Sequence, residues 1–118
     1  MLVLSRKAAE GTKIRVEGKL LVVFYVAPLG RAVGVGIRGV YIDSNGDMQS
    51  FEQSLSDGPA LLPGLPSDCE TWVELVECKI GSSFKARIGI TAPDFVEIIR
   101  DELNDSNDDD EDGRANAA

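Results

Sequence analysis

Histidine is absent from the 118 residues, and cysteine and aromatic residues are scarce. Without histidine the chain has no Ser-His or Cys-His nucleophile, no imidazole metal ligand and no side chain that normally titrates near neutral pH. Two cysteines, Cys69 and Cys78, are too few for a disulfide framework or a four-cysteine zinc site, so free thiols are expected. We therefore expect neither an enzyme nor a bound metal or other cofactor.

Long hydrophobic runs are also missing. The longest extends from Leu20 to Ala27 and is followed by Pro28, whereas a membrane-spanning helix needs about 20 apolar residues. The first seven residues run from apolar to basic, which is the reverse of a signal peptide. These features predict a cytoplasmic protein with no membrane partner.

Acidic residues outnumber basic ones by 20 to 12, but the charge is unevenly distributed. Residues 104–118 contain six acidic residues and one arginine, with no apolar side chain larger than alanine. Such a segment repels itself and cannot form a core, which predicts a disordered acidic tail. By contrast, Arg6, Lys7, Lys13 and Arg15 are accompanied only by Glu10, which predicts a basic first strand.

Alternating apolar and polar residues predict a mainly β chain. In the first strand Leu2, Leu4 and Arg6 share one face. Trp72 and Phe95 have large apolar side chains, and we therefore expect both in the core. The further strands are expected at 13–16, 20–26, 32–37, 40–43, 48–52, 72–79 and 84–90, and the strand at 20–26 is expected to be buried on both faces. A hairpin turn is expected at Asn45-Gly46, and a loop is expected over 53–69.

The segment from Asp94 to Leu103 fits two structures. Phe95, Ile99 and Leu103 are four residues apart, which is typical of a helix that begins near residue 94. A short apolar run of this kind is equally compatible with a strand. From the residues alone, the spacing favours the helix, because Pro93 and Asp94 also suit a helix start.

Two segments of the sequence resemble one known family. Residues 1–7 read MLVLSRK, and residues 87–103 read RIGITAPDFVEIIRDEL. Together they are similar to the carbon storage regulator (CsrA or RsmA) family, whose members begin MLxLxRK and later run RIGIxAPxxVxxxREE. The similarity covers residues 1–15 and 71–103 of a single CsrA-like domain over 1–103. Residues 16–69 form a large insertion where the family has only a few residues.

The resemblance implies a mainly β fold with a short C-terminal helix. The expected protomer has five strands and intertwines with a second copy, with an extra β-hairpin region from the insertion. Residues 96–100 would form the last strand, and the helix would begin only near Asp101. The insertion would add strands to a sheet edge, bulge into solvent or cover the RNA surface.

The resemblance also implies an RNA-binding post-transcriptional regulator. Family members bind GGA-containing loops in mRNA leaders and repress translation or alter mRNA stability, and each site joins the first strand of one protomer to the last strand of the other. The family's RNA-contacting residues correspond here to Leu4, Arg6 and Lys7 of the first strand and to Ile98 and Arg100 of the last. The expected partners are mRNA and a second copy in a homodimer, and no DNA.

A second hypothesis keeps the scaffold without RNA binding. The acidic segments would then bind a basic regulatory protein, or the tail would fold back over Arg6 and Arg100 as an internal competitor.

Other motifs are weaker. The GxGxxG pattern at 34–39 continues as a strand where a dinucleotide site needs a helix, and the acidic runs at 43–47 and 108–113 lack the full spacing of a calcium loop.

Overall fold

The structure, a computed structural model, describes residues 1–7, 10–29, 34–79 and 84–100. Over these ranges the chain forms nine β-strands and a single turn of 3-10 helix at Ser67–Cys69. The strands are β1 Leu2–Lys7, β2 Gly11–Val16, β3 Lys19–Pro28, β4 Val35–Ile42, β5 Met48–Ser54, β6 Ala60–Leu61, β7 Trp72–Lys79, β8 Lys85–Thr91 and β9 Val96–Arg100.

The strands form two antiparallel sheets. One sheet has four strands in the order β1-β8-β7-β6, and the other has five strands in the order β5-β4-β3-β2-β9. The two sheets pack face to face, and apolar residues of both inner faces form one core, as expected for a β-sandwich. The core side chains include Leu4, Val73, Ala86, Ile88 and Ile90 from the first sheet and Ile14, Val22, Phe24, Val26, Ile37 and Val96 from the second. The expectation of a mainly β fold is confirmed.

The register between β1 and β8 decides which side of β1 faces the core. Leu4 lies opposite Ile88 and Arg6 lies opposite Ala86, and all four residues are buried. The residues that alternate with them along β1 are exposed. The two faces of β1 therefore follow the period of two that a strand imposes on its side chains.

The insertion is part of the core. It supplies β3, β4 and β5 of the five-stranded sheet as well as β6 of the other sheet. The side chains of Val22, Phe24 and Ile37 are at most 1% exposed. The insertion begins in β2 and continues into β3 through Glu17 and Gly18, whose φ angles of 52° and 79° are those of a type I′ hairpin turn. Of the three alternatives for this segment, the addition of strands to a sheet is the one observed.

The inserted strands differ from the expected ones in three respects. β3 is buried on one face only, because Val23 and Tyr25 on its outer face are half-exposed. The two strands expected at 32–37 and 40–43 are continuous in one strand, β4, and residues 32 and 33 lie outside the described ranges. The loop expected over 53–69 contains β6, which adds a fourth strand to the first sheet.

The last described segment is a strand. β9 pairs antiparallel with β2, and Ile98 lies opposite Ile14. The prediction of a helix that begins near residue 94, made from the four-residue spacing, is wrong. The strand that the resemblance implies at residues 96–100 is confirmed. The short C-terminal helix expected from about Asp101 lies outside the described residues, as does the acidic tail. In the described part of the chain no helix has the length and hydropathy required to cross a membrane.

The assignment of Trp72 and Phe95 to the core is wrong. Their exposed fractions are 40% and 55%. Trp72 alternates with Val73, which is fully buried on the inner face of β7, so the neighbouring tryptophan must point outward. Phe95 lies in the turn before β9, where the backbone N–H of Val96 donates to the carbonyl of Pro93.

We predict that Gly39→Ala destabilises the sandwich. Gly39 lies in β4 opposite Phe24, and a Cβ atom there would collide with the carbonyl oxygen of Val23 and lie 2.8 Å from the Cα of Phe24. The expected loss in free energy of unfolding is about 1 to 3 kcal/mol, measured by urea denaturation. Ser50→Ala, at an exposed position of β5, is the control and should cost less than about 0.5 kcal/mol. Equal stability of the two variants would contradict the described packing of β4.

Candidate nucleic-acid interface

The two strands that carry the expected RNA-contacting residues lie in different sheets of the same chain. β1 is an edge strand of the four-stranded sheet, and β9 is an edge strand of the five-stranded sheet. The resemblance implied that these strands meet between two protomers. Here β1 pairs with β8 of its own chain and β9 pairs with β2 of its own chain.

One end of the sandwich collects the last residues of both strands. β1 ends at Lys7, from which the chain passes through Glu10 into β2. β9 ends at Arg100, which lies opposite Thr12 near the beginning of β2. Lys7 and Arg100 of a single chain are therefore located at the same end of the sandwich.

Arg6 is buried between the sheets at this end. Its side chain is 1% exposed, and its Nε and Nη1 atoms donate to the carbonyl oxygens of Ser5 (2.7 Å) and Gly11 (3.2 Å). Its Nη2 atom lies 3.9 Å from Oε1 of Glu10. Because Ser5 belongs to one sheet and Gly11 begins β2 of the other, the guanidinium joins the two sheets. Leu4 is buried as well, so a direct contact of either side chain with RNA would require this end of the sandwich to open.

Glu10 fixes the connection between β1 and β2. Its carboxylate accepts the backbone N–H of Lys7 at 2.7 Å, and its own N–H donates to the carbonyl oxygen of Lys7 at 3.2 Å. These two hydrogen bonds fix the backbone of Lys7, whose side chain is exposed on the outer face.

Three lysines lie side by side on the outer face of the four-stranded sheet, and we call them the lysine row. Lys7 of β1 is opposite Lys85 of β8, which is opposite Lys79 of β7. All three are exposed, and in the described ranges none of them forms an ion pair with a carboxylate. Directly opposed residues have Cβ atoms about 5 Å apart, and like charges at that spacing destabilise a sheet. The lysine row is therefore a concentration of positive charge without a visible structural benefit.

A second layer of polar residues borders the lysine row. Arg87 of β8 lies opposite Ser5 and Glu77, and its Nη1 atom is 3.2 Å from Oε1 of Glu77. A shallow depression of about 100 Å³ is lined by Ser5, Glu77, Lys79, Lys85 and Arg87. The lysine row and Arg87 thus place four positive charges near two carboxylates, those of Glu77 and Glu10, in a chain whose net charge is -8.

Ile98 and Arg100 are half-buried on the open edge of the five-stranded sheet. Arg100 lies opposite Thr12 and shares with it the inner face of the sheet, and the buried hydroxyl of Thr12 has no hydrogen-bond partner among the described residues. Of the five residues predicted for the RNA site, Lys7 is exposed, Ile98 and Arg100 are partly accessible, and Leu4 and Arg6 are buried. We call the lysine row together with Arg100 the cationic end.

Lys79 and Lys85 were missed by the sequence reasoning, although a signal for them exists. They flank the connection between β7 and β8, and a hairpin over 72–90 brings them close together, although a four-residue turn would place Lys79 opposite Phe84 and the observed pairing with Lys85 leaves five residues between the two lysines. The basic character of β1 was read from the sequence alone, but its continuation across β8 and β7 depends on the register of the sheet.

The acidic turn after β4 is closed by its own hydrogen bonds. Oδ1 of Asp43 accepts the backbone N–H groups of Asn45 and Asp47, each at 2.9 Å, and Oδ2 accepts the side-chain amide of Gln49 at 2.9 Å. These bonds, chiefly the one from Gln49, hold the pKa of Asp43 below its usual value. Throughout the described residues, no group of three or more histidine, cysteine, aspartate or glutamate side chains is arranged to hold a metal ion.

Both cysteines are free thiols, as expected. Cys69 is buried and Cys78 is half-buried, and burial raises the pKa of both thiols. A raised pKa keeps a thiol protonated and unreactive at neutral pH. The two cysteines therefore behave as small apolar residues of the sandwich.

We predict that Arg6→Ala lowers the free energy of unfolding by about 2 to 4 kcal/mol, because it removes a buried cation and leaves two backbone carbonyls without their donor. Urea denaturation measures the change. Lys7→Ala, at the next and exposed position, should change the free energy of unfolding by less than about 0.5 kcal/mol. If both variants are as stable as the unaltered chain, Arg6 does not hold the sheets together.

Comparison of the chain with protein-family models, with curated protein sequences and with solved structures found no match. The similarity to the carbon storage regulators therefore rests on the two sequence segments that carry it, and the functional argument rests on the geometry of the cationic end.

Proposed function

We propose that this protein is an RNA-binding post-transcriptional regulator that contacts GGA-containing loops of mRNA leaders with its cationic end, and so represses translation or alters mRNA stability. The observation that carries the proposal is the lysine row, with Lys7, Lys85 and Lys79 in direct cross-strand register. Arg100 at the same end supports it, since it is also one of the residues that the resemblance selects.

The lysine row suits the backbone of a single-stranded RNA loop. Three neighbouring strands span about 10 Å, which corresponds to about three nucleotides at the rise of about 3.4 Å of a stacked strand. Lysine ammonium groups bind phosphate oxygens as point charges, and such contacts position an RNA without reading its sequence. The unfavourable proximity of Lys7, Lys85 and Lys79 in the free protein would be relieved by the bound phosphates.

The edge strand β9 provides groups that can read bases. An edge strand has unpaired backbone N–H and C=O groups along its free side. Unstacked bases of an RNA loop present hydrogen-bonding edges, and the arginine guanidinium matches the O6 and N7 acceptors of guanine. Arg100 is the residue proposed for this contact, and Ile98 is proposed to support the base from the same face.

The net charge of -8 does not prevent this binding. At physiological salt, exposed charges more than about 8 Å apart are largely screened, so the local cations dominate at contact. The acidic remainder of the chain should slow association and weaken affinity when the salt concentration is low. A regulator of this kind would act in the cytoplasm, where the leaders of its target messages are exposed.

A homodimer belongs to the same proposal. Among the described strands, β1 and β9 each have one neighbour in their own sheet, so each has one free edge. Pairing of the β1 edges of two copies would satisfy backbone groups that are otherwise solvated and would leave the free edge of β9 open to RNA. Such a dimer would carry two cationic ends and could bind two loops of one message.

A protein-interaction module is the second candidate, and two observations favour it. Leu4 and Arg6 are buried in the sandwich. At the opposite end of the outer face from the lysine row, Leu61 and Trp72 form an exposed cross-strand pair, with exposed fractions of 39% and 40%. Exposed tryptophan is common at protein interfaces because it buries a large area. In this alternative a regulatory protein takes the place of RNA.

The double variant Lys79→Ala/Lys85→Ala tests the RNA proposal. It should weaken binding of a GGA-loop hairpin about tenfold at low salt and reduce the slope of log affinity against log salt concentration by about 1.4, which corresponds to two lost phosphate contacts. Fluorescence anisotropy over a salt series measures both quantities. A hairpin with the same stem and no GGA should be affected in the same proportion, because phosphate contacts do not distinguish bases.

Lys19→Ala/Arg38→Ala is the matched control, since it removes the same charge from exposed positions of the five-stranded sheet. We expect little change in the salt slope for this variant. If the two double variants weaken binding equally, the effect is one of net charge, and the lysine row is not the site. If the unaltered chain binds neither hairpin, the RNA proposal is wrong and the protein-interaction module is favoured.

A further inference from the structure

The lysine row needs an anionic counterpart even in the absence of RNA. Its three ammonium groups repel one another, and no carboxylate of the described residues pairs with them. The neighbouring cation, Arg87, is already paired with Glu77. An anionic segment attached near this end would therefore meet positive charges that no described carboxylate neutralises.

The chain carries such an anion. Residues 104–118 contain Asp105, Asp108, Asp109, Asp110, Glu111 and Asp112 with Arg114 as the sole base. The last described strand, β9, ends at Arg100, at the same end of the sandwich as the lysine row. The acidic segment is thus joined to the molecule at the place where the positive charge is concentrated.

The distances allow an intramolecular contact. Two packed sheets are about 10 Å apart, and the three strands of the row span about 10 Å more. Asp108 is eight residue steps beyond Arg100, and an extended chain of that length reaches about 27 Å. A short tether gives its attached segment an effective concentration in the millimolar range, so even weak ion pairs can be occupied.

We propose that the acidic C-terminal segment, residues 104–118, binds the lysine row of its own chain and competes there with the RNA backbone. Binding of the segment to the row stands independently of the proposed function, whereas the competition rests on it. The segment would lower RNA affinity most at low salt, because ion pairs between exposed charges are weakened by screening. Because the segment competes for the same contacts, it would lower the apparent affinity for every RNA by the same factor, and at a fixed RNA concentration the weak sites would lose their occupancy first.

The test uses the full-length chain with part of the segment neutralised. Asp108→Asn/Asp109→Asn/Asp110→Asn removes three charges from the segment. Asp57→Asn/Glu70→Gln/Asp94→Asn removes three charges from exposed positions of the sandwich and is the matched control. Without any RNA, the rate at which an amine-acetylating reagent modifies each lysine is measured by mass spectrometry.

We expect acetylation of Lys79 and Lys85 to be about threefold faster in the segment variant than in the unaltered chain, with no change at Lys19. In about 1 M salt, where the Debye length is about 3 Å, the difference should disappear. The control variant should leave all three rates unchanged. Equal rates at Lys79 and Lys85 in both variants would overturn the proposal.

RNA titration of the same variants separates this inference from the proposed function. If the segment variant binds a GGA-loop hairpin more tightly than the control at low salt, both are supported. If lysine acetylation changes but no protein binds RNA, the segment occupies the row and the RNA proposal fails. If RNA binds with equal affinity to all variants and acetylation does not change, the RNA proposal survives and the competition is wrong.

Discussion

The antiparallel register between β1 and β8 is the constraint on which both the core and the cationic end depend. It places Leu4 opposite Ile88 on the inner face and Lys7 opposite Lys85 on the outer face. A slip of one residue would exchange the two faces of β1, exposing Leu4 and burying Lys7. The cost of burying an unpaired ammonium group makes that alternative strongly unfavourable. Core packing and surface charge therefore specify the same register.

Arg6 shows how this register serves two purposes at one end of the sandwich. Its guanidinium faces inward and binds carbonyl oxygens of both sheets, while its neighbour Lys7 faces outward into the lysine row. The buried arginine thus fixes the position of an exposed lysine, and Glu10 fixes the connection that follows. The outer face of the same sheet becomes apolar toward Trp72 at its opposite end. One sheet consequently presents a basic region at one end of its outer face and an exposed apolar pair at the other.

Much of this arrangement could be predicted from the sequence, and the failures have physical causes. The two faces of β1 follow from its alternation, but the burial of Arg6 does not, because arginine is rarely buried without partners that only the fold supplies. β9 required the family resemblance, since five apolar and charged residues fit either a helix or a strand. The sheet that the inserted strands join could not be predicted, because the sequence of a hairpin does not specify the strand with which it pairs. The hairpin that contains Lys79 and Lys85 could be predicted, but the pairing of Lys79 with Lys85 instead of Phe84 depends on a register that the sequence does not specify.

The central claim is that RNA binds at the cationic end, and a titration followed by amide chemical shifts of the ¹⁵N-labelled full-length chain tests it most directly. With a GGA-loop hairpin as the ligand, the account predicts the largest shifts at Lys7, Lys79, Lys85 and Arg100, and negligible shifts in the turn from Asp43 to Asp47 at the far side of the five-stranded sheet. Shifts confined to that turn or to the exposed pair Leu61 and Trp72, or the absence of shifts at saturating RNA, would contradict it.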